Sequence, residues 1–163
     1  MNTLRMVLVS IALALLVQVS SADDRSALVG TWKVLSFEME YQDGRPASPW
    51  EGGRNPVGFL IFTEQGRMMS MIEGVDRKPA KTDEERGALL RTMIAYTGPY
   101  RLEGDKWITH VDASWVPSWT GTEQARFYKL DGDRLQVTTA WFKYAMLSGE
   151  PMARGVLTWG RVK

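Results

Sequence analysis

Residues 121–142 read GTEQARFYKLDGDRLQVTTAWF, and this stretch decides the fold. Two runs in which apolar and polar residues alternate, 121–131 and 134–142, flank Asp131-Gly132-Asp133. Alternation at period two marks strands, and a glycine between aspartates marks a tight turn, so the segment predicts an antiparallel hairpin. On its first strand Glu123, Ala125, Phe127 and Lys129 share one face, and Gln124, Arg126, Tyr128 and Leu130 share the other.

The same pattern continues outward. TGPYRLEG (97–104) and KWITHVDAS (106–114) precede the hairpin across Gly104-Asp105, and ARGVLTWGRV (153–162) follows it. Upstream, VGFLIFT (57–63) and RMMSMI (67–72) flank Glu64-Gln65-Gly66, a second hairpin signal. The first strand, GTWKVLSFEMEYQ (30–42), places Leu35, Phe37, Met39 and Tyr41 on one face. Trp32 and Val34 fall out of phase with that set, which predicts a bulge or bend near Val34-Leu35. Residues 42–56 hold three prolines and three glycines and read as a loop. Thr82-Asp83-Glu84-Glu85 is a capping box that opens a helix with an apolar stripe of Leu89, Leu90, Met93 and Ile94, and Gly98-Pro99 stops it. The expectation is an all-β protein: an eight-stranded antiparallel up-and-down barrel with one helix between strands 3 and 4 and room inside for one small ligand. A two-sheet sandwich fits the same pattern.

Composition narrows the chemistry. The chain has 163 residues, enough for one domain with a proper core. It carries 20 Lys+Arg against 19 Asp+Glu, and this near-neutral balance argues against a nucleic-acid partner or an anionic membrane surface. The absence of cysteine excludes disulfides, thiolate metal sites and a cysteine nucleophile, and the single histidine excludes any site built on two imidazoles. No phosphate-binding glycine loop, G-x-S-x-G elbow or metal-ligand cluster occurs, so no metal and no cofactor are expected. Residues 1–22, MNTLRMVLVSIALALLVQVSSA, combine Arg5, an apolar run too short to span a bilayer, and a small-residue end at Ser20-Ser21-Ala22. They read as a secretory signal peptide cleaved after Ala22. The domain then occupies 23–163, in a periplasmic or secreted protein whose mature chain has no membrane anchor.

Gly30-Thr31-Trp32 opens the first strand. With it stand LVGTWKVLSFE (28–38), NPVGFLIFTEQGRMM (55–69), EER (84–86), TGPYRL (97–102), THV (109–111), PSWTGTEQARFYKLDGDRL (117–135) and TWGRV (158–162). Together these segments resemble the bacterial and fungal lipocalin-like domain family over residues 27 to 162. The resemblance implies a single eight-stranded barrel with an internal cavity, and it implies no chemistry. Trp32 and Arg161 resemble the pair that closes lipocalin barrels, with a guanidinium over an indole face.

Several residues are candidates for a site. If the face bearing Gln124, Arg126 and Tyr128 is internal, Arg126 is a buried cation that needs a carboxylate from the protein or an anionic group from a ligand. A structural plug against a tryptophan is the competing role. Trp115 and Trp119, on the loop WVPSWTG (115–121), could cover a barrel mouth or plug the core, and Tyr96 and Tyr100 could add hydroxyls. Met68, Met69 and Met71 offer adaptable packing. His110 shares a strand face with Asp112 and is the one side chain suited to acid–base catalysis near neutral pH, although its parity with Lys106 favours an outward position. Three functions follow. The first is a carrier of a small hydrophobic molecule, aromatic or carboxylate-bearing. The second is a cofactor-free isomerase, cyclase or lyase that uses His110, a tyrosine and Arg126. The third is a filled barrel that serves a protein partner.

Overall fold

The computed structural model describes residues 25–144 and 149–163; the expected signal peptide at 1–22 lies outside the described residues. Eight long strands form a closed antiparallel ring. They are β1 (Gly30–Tyr41), β3 (Val57–Phe62), β4 (Arg67–Glu73), β5 (Met93–Glu103), β6 (Lys106–His110), β8 (Glu123–Asp131), β9 (Arg134–Thr139) and β11 (Met152–Arg161). Each pairs with the next in that order, and β11 returns to β1 from Trp32↔Arg161 to Tyr41↔Ala153. That last pairing closes the ring and sets the sandwich aside. Three two-residue strands are accessory: β2 (Ser48–Pro49) on β1, β7 (Ala113–Ser114) on β5, and β10 (Phe142–Lys143) on β11.

Alternation is clearest in β3, β4 and β9. In β4 Met68, Ser70 and Ile72 point inward while Arg67, Met69 and Met71 are exposed. In β1 the register slips between Val34 and Ser36, where the bulge was expected. Its consequence differs from the sequence reading: the extra residue is Leu35 itself, 54% exposed, and Trp32 and Val34 rejoin Phe37, Met39 and Tyr41 in the core. A bulge adds one residue to one strand and so restores the phase of everything after it.

In an up-and-down ring successive connections alternate between the two ends, and here they differ in length. One end carries the short turns 63–66, 104–105 and 132–133. The Trp32 indole is fully buried there and donates to the Leu28 carbonyl at 2.9 Å. The Arg161 guanidinium lies 4.1 Å from the Trp32 ring centroid and donates to the Val29 carbonyl at 3.0 Å and to the Ala27 carbonyl. Gly30 sits here at φ 131°, a backbone conformation that L side chains rarely adopt. The other end gathers the four long connections, 42–56, 74–92, 111–122 and 140–151.

Three boundaries depart from expectation. The helix α1 (Asp83–Arg91) begins with the predicted capping box, Thr82 Oγ1 accepting from the Glu85 amide at 3.2 Å, but it stops at Thr92. Met93 and Ile94 open β5 instead of extending the helix. The helix buries no residue, so its apolar positions could not hold Met93 and Ile94 against the pull of the β4 edge. Gly98 therefore sits inside a strand, where a Cβ would come within 1.8 Å of the His110 carbonyl oxygen. The predicted strand 106–114 breaks at that crossing: β6 ends at His110, and β7 pairs with β5 again through Tyr96↔Ser114. Finally, the loop 42–56 is not wholly solvated, since Trp50 turns inward, 5% exposed, and stacks on Phe37 at 4.8 Å.

Candidate functional site

The ring encloses a cavity of about 610 Å³, within the range of about 300–1,000 Å³ typical of small-molecule sites. Its apolar wall comes from residues of strands all round the ring, among them Phe37, Leu60, Ile72, Ile94, Trp107 and Trp159. Trp115, Trp119, Trp141 and Phe142 reach it from the long connections. A second space of about 320 Å³ shares Phe37, Met39, Ile94, Trp115 and Phe142 with the first and continues toward Trp50, Glu51, Arg91 and Tyr144. The cavity therefore lies beneath the end of the ring that carries the long connections. Across that end the Tyr144 hydroxyl donates to Glu51 Oε1 at 3.0 Å. Burial, then the Glu51 charge, pushes the Tyr144 phenol well above its ordinary value.

Among the described residues Arg126 is the charged side chain buried in the cavity wall, 9% exposed. The parity of β8 carries it inward, and its register partners are Trp107 on β6 and Thr139 on β9. Its Cζ lies 5.4 Å from the ring centroids of both Tyr96 and Trp119. Nη1 donates to the Ala125 carbonyl at 2.8 Å and more weakly to Gln124 Oε1 at 3.4 Å. Among the described residues no carboxylate lies within 4.0 Å of it, although Arg45, Arg67, Arg101 and Arg154 all have one.

The remaining candidates divide. Gln124, Tyr96, Trp115 and Trp119 line the cavity with Arg126, and Trp119 packs edge-on against both Tyr96 and Trp115. Tyr128 points inward but packs on Trp107, with ring centroids 5.8 Å apart, and does not line the cavity. Tyr100 is a correction. It shares the inward parity of Tyr96, but four residues of strand separate them, about 13 Å. It lies instead against Phe62 and under the Arg25 guanidinium, its hydroxyl buried without an acceptor among the described residues and its ionisation pushed up by burial.

His110 is exposed and absent from the cavity wall. Its strand-face neighbour Asp112 pairs with Arg67 at 2.5 Å, not with the imidazole. The parity with Lys106 was the informative signal, because Trp107 and Thr109 take the inward positions. Of the three methionines, Met68 is core, and Met69 and Met71 lie on the outer surface.

Sequence reasoning missed several wall residues. Ser70 is 4% exposed and stands opposite Tyr96 in the β4–β5 register. Its inward parity was readable once RMMSMI was taken as a strand. The alternation over 134–142 places Trp141 and Phe142 at the end of one strand, whereas β9 stops at Thr139, Phe142 opens β10, and both side chains reach back over the cavity. Thr139 Oγ1 accepts from the Gly155 amide at 2.9 Å and donates to the Ala140 carbonyl at 2.9 Å, so this wall hydroxyl is already satisfied. Among the described residues no cluster of His, Asp or Glu could hold a metal ion, and no helix is long and apolar enough to cross a membrane.

Residues 29–162 match a family model described as a lipocalin-like domain. No curated protein matches the chain. The matched span runs from the residue before β1 to the residue after β11 and so takes in the whole ring. On that match the chain belongs to the lipocalin-like domain family.

Proposed function

We propose that this protein is an exported lipocalin-like barrel that binds one small, largely apolar, ring-bearing molecule in its internal cavity. The observation that carries the reading is the cavity of about 610 Å³ at the end of the closed ring where the long connections gather. A structural barrel has no use for such a space, since interiors otherwise pack to crystal density and each void costs stability. The wall suits rings. Tyr96, Trp107, Trp115, Trp119, Trp141 and Trp159 offer faces and edges on several sides, and aromatic pairs gain energy beyond their area. Export is supported by Arg5, the apolar run after it and the Ser20-Ser21-Ala22 end. His110 lies on the outer surface, and this favours the carrier reading over proton transfer through that imidazole.

The test is a titration with N-phenylnaphthylamine, a neutral aromatic dye that brightens in apolar surroundings. Saturable binding of one dye per chain, with quenching of tryptophan emission, is the expected result. Dye that gains no intensity, or binds without saturating, contradicts the reading.

A further inference from the structure

Arg126 offers more than a positive charge. A guanidinium carries five N–H donors in a planar fork. Both of the Arg126 hydrogen bonds to protein leave from Nη1, to Ala125 and Gln124, so the edge formed by Nε and Nη2 has no acceptor among the described residues. The same chain shows what that edge binds. Arg45 uses Nε and Nη2 for the Asp43 carboxylate, and Arg154 uses Nε and Nη2 for Glu40, at 2.8 and 2.7 Å. In Arg126 the equivalent edge belongs to a side chain in the wall of an apolar cavity. Tyr96 and Trp119 pack at the guanidinium and hold its plane. Ser70 and Tyr96, opposite each other in register and both buried, carry hydroxyls with no hydrogen bond to protein among the described residues.

We propose that the ligand is a monocarboxylic acid: its carboxylate forks onto the Nε/Nη2 edge of Arg126, the Ser70 and Tyr96 hydroxyls complete the head-group site, and its ring system fills the aromatic space. This rests on the cavity being the binding site. A carboxylate matches the fork with two parallel N–H···O bonds, the strongest geometry open to arginine. One negative charge also balances the one cation buried there among the described residues, and a second would be left unpaired in an apolar enclosure.

The experiment compares naphthoic acid with its methyl ester, two probes of nearly equal shape, by calorimetric titration of the mature protein and of Arg126→Met at pH 7. The wild type should favour the acid by about thirtyfold, the scale of a buried charge pair. Arg126→Met should reverse that order, because a carboxylate would then be buried without a partner. A second measurement needs no variant: wild-type affinity for the acid should fall as pH drops below about 4, where the probe becomes neutral, while ester affinity stays level. Equal binding of acid and ester by the wild type would overturn the head-group assignment and leave the cavity reading standing. If neither probe binds, and the neutral dye fails as well, both readings fall.

Discussion

Among the arginines that lie over tryptophans, Arg126 and Arg161 should respond to removal with opposite consequences. Arg126 is 9% exposed, with one good hydrogen bond at 2.8 Å, a long one at 3.4 Å and two ring faces at 5.4 Å. Losing those contacts costs about 3 kcal/mol, taking roughly 1.5 for a charged hydrogen bond and 0.5–1 for each ring. Against this stands the penalty of keeping a guanidinium out of water with no carboxylate beside it, several kcal/mol for a buried ion. Arg126→Met keeps the side-chain length and removes the charge, so ligand-free stability should be unchanged or higher by about 1 kcal/mol. Arg161 is the control. It grips two carbonyls and the Trp32 face and lies 3.4 Å from Asp133, so Arg161→Met should cost about 3 kcal/mol, near 10 °C in Tm. Urea unfolding followed by far-UV circular dichroism measures both, with equal slopes confirming that the free energies are comparable. A loss of 2 kcal/mol or more in Arg126→Met would refute the reasoning and make Arg126 a structural plug.

Gly98→Ala places a methyl group 1.8 Å from the His110 carbonyl and should destabilise by roughly 3 kcal/mol or more, read as a lower urea midpoint; a neutral result would mean that β5 and β6 do not cross so closely. Arg101 holds the Glu123 carboxyl below the ordinary glutamate range. The stability from that pair is therefore present above the ordinary value and is lost as pH falls through the lowered one. In Arg101→Gln the Glu123 titration followed by NMR should move up toward the ordinary value, and an unmoved midpoint contradicts the assignment. His110→Ala should leave binding of the neutral dye unchanged, because the imidazole is outside the cavity; a clear loss of affinity would contradict that placement.

The ring was legible because its physics is local. Period-two alternation, Gly-Asp turns and the out-of-phase Trp32 each report on a few neighbouring residues, and together they gave the eight strands and the bulge. That Arg126, Gln124, Trp115 and Trp119 line the cavity was legible in the same way, from the parity of one strand and the composition of one loop, and Tyr96 stood out by its place beside Gly98-Pro99. What failed was set by distant partners. Met93 and Ile94 fit a helical stripe until the β4 edge takes them, and Tyr100 satisfies the parity rule yet lies too far along β5. Trp50, Trp141 and Phe142 sit in turn-rich connections, and their inward positions depend on Phe37 and on a cavity that no local pattern describes. Ser70 was readable by parity, but its role follows only from standing opposite Tyr96.

The central claim is that the closed ring holds a molecule. Native mass spectrometry of the protein purified from its native host, set against the denatured mass, tests this most directly. The account predicts a single added mass of a few hundred daltons that leaves on unfolding and belongs to an acid. A protein that stays bare, and remains bare when incubated with naphthoic acid, would contradict it.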